Sequence, residues 1–133
     1  MIKDFNRQML KMDFSNINTH QPKQPSDIDM LWIDGTHRFV IFGEIKNGVG
    51  DFNDNQKALY EFLAEAFSTK YDVYVLYITH SQFVEKGDNK VDVSASQVEE
   101  YLYRNKEGKM SQWTKPKRPI TVQQAFDIII TRK

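Results

Sequence analysis

The chain has 133 residues, 40% hydrophobic and 13% aromatic, enough to bury the core of one ordinary domain. This composition argues against disorder, collagen, coiled coil and disulfide scaffolds, and the absence of cysteine removes thiolate zinc sites and cysteine nucleophiles. Eighteen bases balance 18 acids, yet residues 27–65 carry a net −5 and residues 101–133 a net +6, so attraction to a polyanion is local, not chain-wide.

Residues 2–12 read as a short amphipathic helix carrying Ile2, Phe5, Met9 and Met12. They lack the continuous apolar stretch of a signal peptide. No apolar run approaches the roughly 18 residues of a membrane span. The expected setting is the cytoplasm, without membrane. Residues 13–26, with Pro22 and Pro25, read as loop.

Two β-rich runs, 27–34 and 38–46, surround Asp34-Gly35 and predict a hairpin. Residues 51–68 predict a helix with Asp51 as N-cap and Asp54 in the first turn. Its expected apolar stripe is Phe52, Leu59, Phe62, Leu63, Ala66 and Phe67. Residues 72–79, DVYVLYIT, suit a strand covered on both faces. Residues 98–104 and 109–114 flank Asn105-Lys106-Glu107-Gly108 and predict a second hairpin. Thr121, with Gln124 three residues on, predicts a capping box opening a last helix. The order gives an α/β fold with a mixed sheet in a single domain spanning 1–133.

Glu44 and Lys46 stand two apart on one strand and therefore share a face with Val40 and Phe42. Asp27 and Asp29 share a face with Leu31 and Ile33 on the strand before. If an even number of residues joins the strands, these faces coincide. A four-residue loop, Gly35 to Arg38, would set Asp29 opposite Glu44. Cross-strand carboxylates about 4.5–5.5 Å apart at Cβ repel unless a cation sits between them. Carboxylate oxygens suit Mg2+ or Mn2+. The alternative is a solvated cross-strand ion pair of little energetic weight. Gln56 lies on the apolar stripe of the following helix, where a buried amide needs hydrogen-bond partners.

Pro25-Ser26-Asp27-Ile28-Asp29, Glu44-Ile45-Lys46 and Gln56-Lys57-Ala58-Leu59-Tyr60, in this order, resemble the PD-(D/E)XK nuclease superfamily. They are similar to its small phage and prophage members with a Gln-x-x-x-Tyr helix motif. The resemblance covers about residues 25–80. It implies a restriction-endonuclease-like αβββαβ core, its mixed sheet flanked by helices, with a C-terminal hairpin and helix added. It implies a Mg2+- or Mn2+-dependent deoxyribonuclease in which Asp29, Glu44 and the backbone carbonyl of Ile45 ligate metal. Lys46 would activate water or stabilise charge, and Gln56 would orient the nucleophile or hold Lys46. Asp27, Tyr60 and His80 are auxiliary candidates, with packing or hydrogen bonding the ordinary role for Asp27 and His80.

Two features depart from that pattern. Only two strands are legible before residue 51, and the first helix offers only Asp4 or Asp13 as an extra acid. Lys109, Lys115, Lys117 and Arg118 form the dense basic cluster and are expected to line one rim of the cleft on DNA phosphates. A neutral chain of this size has limited binding surface, so a homodimer is expected. The bacterial cytoplasm, or a host cytoplasm for a phage protein, would be the setting. The other reading is an inactive nuclease-fold module that binds nucleic acid or protein.

Overall fold

The computed structural model describes residues 28–48, 52–80 and 92–131. The helix at 2–12, the loop at 13–26, Asp4, Asp13, Asp27, Asp51 and the extent of the domain over 1–133 lie wholly or partly outside the described residues.

The described elements are β1 (Met30–Asp34), β2 (Phe39–Asn47), α1 (Asp54–Phe67), β3 (Asp72–His80), a 3-10 turn (Val93–Ala95), β4 (Gln97–Arg104) and α2 (Val122–Thr131). The four strands form one mixed sheet in the order β1-β2-β3-β4. β1 and β2 are antiparallel, β2 and β3 parallel, and β3 and β4 antiparallel. The parallel step requires a crossover, and α1 supplies it. This is an α/β fold, with two strands before α1 among the described residues.

Alternation along the strands divides the core into two clusters. Val40, Phe42, Val73, Val75 and Tyr77 pack with Tyr60 and Ala64 of α1. Phe39, Ile41, Tyr74, Leu76 and Ile78 pack with Val122, Ala125 and Ile129 of α2. The central strands are therefore covered on both faces, which is why β3 reads as an unbroken apolar run. Among the described residues β1 is an outer strand of the sheet, with Leu31, Trp32 and Ile33 about half exposed.

The first hairpin has the four-residue connection Gly35 to Arg38, since Asp34 pairs with Phe39. Asp34 holds the turn by accepting from the His37 backbone N–H at 2.9 Å. That bond, followed by the one to the His37 ring, lowers the Asp34 pKa. Arg38 takes the left-handed conformation that closes the turn, φ 59°.

Three local expectations change. The N-cap of α1 is Asn53, not Asp51. Its side chain accepts from the Gln56 N–H at 3.0 Å, and Gln56 Oε1 accepts from the Asn53 N–H at 3.3 Å. A cap at 53 puts an amide three residues on, which completes this reciprocal box. The expected stripe of α1 holds in part: Leu63 and Phe67, with Phe52 just ahead of the helix, pack in the α1 cluster, but Tyr60 and Ala64 are the buried residues of the helix and Phe62 is 68% exposed.

The second hairpin is not a continuous ladder. Residues 110–121 touch β4 through isolated bridges at Arg104–Met110, Tyr101–Thr114 and Gln97–Thr121, and the register slips between them. Ser111 accepts the Tyr103 N–H through its hydroxyl rather than its carbonyl. Pro116 and Pro119 bring no N–H at all. The capping box of α2 forms as the sequence predicts, with Thr121 and Gln124 exchanging bonds of 2.9 and 3.1 Å. No helix among the described residues is long and apolar enough to cross a membrane.

Candidate active site

The register of the first hairpin decides the geometry. Met30 pairs with Gly43, so the next step outward sets Asp29 against Glu44. Asp29 lies just beyond β1, and its Oδ2 accepts the backbone N–H of Ile45 at 2.8 Å. The carboxylate thus replaces a ladder acceptor and is tied to the Glu44–Lys46 segment.

Glu44 is 7% exposed and three donors surround its carboxylate. The Tyr60 hydroxyl donates to Oε1 at 2.7 Å. The Gln56 amide donates to Oε2 at 3.3 Å, and Lys46 Nζ lies 3.3 Å from the same oxygen. Tyr60 itself is fully buried between α1 and the sheet. Burial raises the Glu44 pKa; Tyr60 opposes the rise, the nearby Asp29 charge adds to it, and Lys46 opposes it.

α1 positions two of these donors because Gln56 and Tyr60 are four apart and lie on one face. Gln56 has two tasks. Its oxygen completes the cap of α1 and its nitrogen faces Glu44. The Tyr60 hydroxyl also lies 3.5 Å from the Gly43 carbonyl. A Cβ on Gly43 would stand 2.6 Å from Cε of Met30 and 3.2 Å from Cδ1 of Ile78.

Asp29, Glu44, Lys46 and Gln56 therefore gather as the sequence predicts. Tyr60, an auxiliary candidate by the resemblance, is a direct hydrogen-bond partner of Glu44. Phe52, Tyr77 and Trp113 form a stacked and edge-on aromatic group, and Trp113 donates to Glu61 at 2.7 Å. Lys57 reaches over the Phe52 and Trp113 rings and pairs with Glu100 at 3.4 Å. His80 ends β3 two residues beyond Ile78, so strand alternation places it on the α2 side, away from Glu44. Its Nδ1 is buried without a partner among the described residues.

The basic cluster does not act as one rim. β4 runs antiparallel to β3, so the turn carrying Lys109 lies at the Asp72 end, where the Lys106 N–H donates to Asp72. Glu44 instead neighbours Tyr77, nearer the other end. Lys115 lines a groove beside Tyr77 and Thr79. Lys117 lines a separate pocket with Tyr74 and Leu76 on the α2 side. Between them the chain passes the β4 edge, with Trp113 packed on one face and Ile120 on the other. Arg118 is exposed.

Asp29 and Glu44 are two hard oxygen donors, and among the described residues no third carboxylate, histidine or cysteine joins them. Two carboxylates suit Mg2+, which keeps several waters and takes remaining ligands from substrate phosphate. No family model, curated protein or solved structure matches the chain.

Proposed function

We propose that the chain is a metal-dependent nuclease that hydrolyses DNA phosphodiester bonds in phage or mobile-element DNA metabolism, with the PD-(D/E)XK arrangement of residues. The observation that carries this reading is Asp29, one residue before β1, bonded to the Ile45 N–H beside Glu44, with Lys46 Nζ 3.3 Å from Glu44. Asp29, Glu44 and the Ile45 carbonyl would hold Mg2+ or Mn2+. The ion would supply Lewis-acid stabilisation of the phosphoryl oxygens and make a bound water nucleophilic.

The chain's own residues do the rest. Lys46 presents a fixed positive charge where negative charge grows on the phosphate. Gln56 and Tyr60 hold the Glu44 carboxylate in one orientation, so little rotamer freedom is lost when it takes a ligand. Asp29 is anchored by the Ile45 N–H, which couples the two carboxylates through one stretch of backbone.

A second reading, a nuclease-fold module that binds without turnover, draws on one observation. Both oxygens of Glu44 already have protein donors. A supercoiled-plasmid nicking assay with Mg2+, Mn2+ or EDTA separates the two. The nuclease reading expects metal-dependent nicking that Asp29→Asn, Glu44→Ala and Lys46→Ala each reduce by at least about a hundredfold. Nicking at the wild-type rate by Glu44→Ala overturns it. Binding without nicking by the wild type selects the second reading.

A further inference from the structure

A groove of about 580 Å³ opens one strand away from the candidate site. Tyr77 and Thr79 line it, and these are the β3 partners of Glu44 and Lys46. Adjacent strands lie about 4.8 Å apart, so the groove borders the site through Tyr77 and Thr79, while His80 and Ile120 carry it round to the α2 side. Gly48, at the end of β2, also lines it. The groove therefore flanks the carboxyl ends of two parallel strands, where open α/β sheets commonly bind ligands.

The walls combine opposite charges. Lys115 is the one cation among the described lining residues, and Glu99 and Glu100 are the acids. Glu100 is committed to Lys57 at 3.4 Å. Glu99 is the extra residue of a bulge, because Tyr77 pairs with Glu100 and Ile78 with Val98. A bulge re-aims the side chain it carries. Glu99 Oε1 accepts the Thr79 hydroxyl at 2.7 Å, and its second oxygen has no partner among the described residues.

We propose that this groove holds an unpaired nucleotide of the DNA cut at Glu44 and Lys46, with Lys115 on its phosphate and Glu99 accepting from the exocyclic amine of its base. The inference rests on the nuclease reading above. The volume lies within the roughly 300–1,000 Å³ range of small-ligand pockets, which suits a single nucleotide. A carboxylate accepts from the exocyclic amine of cytosine, whereas unpaired thymine offers only its ring N3–H, flanked by two carbonyls that repel a carboxylate. A wall carrying two carboxylates disfavours a dense phosphate backbone, whereas a single splayed nucleotide needs only one cation.

The test measures fluorescence anisotropy of labelled oligo(dC), oligo(dT) and a blunt duplex with the full chain in EDTA. The proposal expects oligo(dC) to bind about fivefold or more tighter than oligo(dT) and the duplex. Lys115→Ala should weaken oligo(dC) about fivefold, whereas Lys117→Ala changes it less than twofold. Glu99→Gln should abolish the dC preference while its far-ultraviolet circular dichroism stays that of the wild type. Equal affinity for duplex and oligo(dC), or equal effects of the two lysine variants, overturns the groove. Because these readouts need no cleavage, their failure is distinct from a failure of metal-dependent nicking.

Discussion

The Tyr60 hydroxyl, wholly buried, donates a 2.7 Å hydrogen bond to Oε1 of Glu44. This bond joins the core of the fold to its candidate chemistry. A helix packed on the sheet for apolar reasons delivers a donor to a carboxylate that burial penalises. Tyr60→Phe keeps the ring and removes the donor. It should cost about 1–2 kcal/mol at neutral pH, the penalty for an ionised acceptor losing a partner in a buried setting. The cost should shrink in acid, where Glu44 is protonated. Urea denaturation at both pH values checks this, and an equal cost at both would detach the bond from the charge.

Glu44 also sets a pH dependence in metal-free buffer. Its pKa in the folded chain is raised, first by burial. Between the unfolded and folded values the folded state binds more protons, so stability falls as pH rises through that window. Glu44→Gln removes the titrating group and should remove this fall. Denaturation midpoints over about pH 4 to 7 measure it, and parallel curves for the two proteins would refute it.

Asn53 and Gln56 separate the cap from the site. Asn53→Ala should cost about 1 kcal/mol of stability and leave turnover within about twofold, because Asn53 serves the helix start alone. Gln56→Ala should cost a similar amount and reduce turnover about tenfold or more, because it also removes one of the two donors on Oε2 of Glu44 and leaves Lys46 there. Thermal unfolding together with plasmid nicking provides both readouts. Equal activity of the two variants would reduce Gln56 to a capping residue.

Gly43 is required by what crosses it. Gly43→Ala should destabilise by about 1–3 kcal/mol, since its new methyl would meet Met30 and Ile78 inside the sheet. Met30→Ala should relieve part of that strain. The double variant should therefore be more stable than the sum of the two single losses implies. Additive losses would place the strain on Ile78 or the backbone.

Local rules were enough wherever neighbouring residues settle the outcome. The period of two put Asp29 on the face of Leu31 and Ile33, and Glu44 with Lys46 on that of Val40 and Phe42. The four-residue turn at Asp34-Gly35 then brought those faces together. The capping box at Thr121 and Gln124 is likewise a three-residue relation that sequence spacing contains in full.

Other features depend on which surfaces meet. The stripe read on α1 runs through Phe52, Leu59, Phe62, Leu63, Ala66 and Phe67, with Gln56 on it. Packing against the sheet keeps Phe52, Leu63 and Phe67 but turns the helix so that Tyr60 meets Glu44 and Phe62 stands in solvent. The hairpin expected after β4 breaks because Ser111 offers its hydroxyl in place of its carbonyl and prolines withhold donors, so register slips with each bridge. Lys115 and Lys117, two residues apart, line different cavities because the chain between Trp113 and Ile120 passes the edge of the sheet, with Ile120 lining both. The sequence by itself determined the four strands, the first turn and the face that Asp29 shares with Leu31, since these follow from backbone periodicity over a few residues. The tertiary structure decided which donors reach Glu44 and which lysine borders the groove, since those depend on helix rotation and chain path, which only packing across the sheet selects.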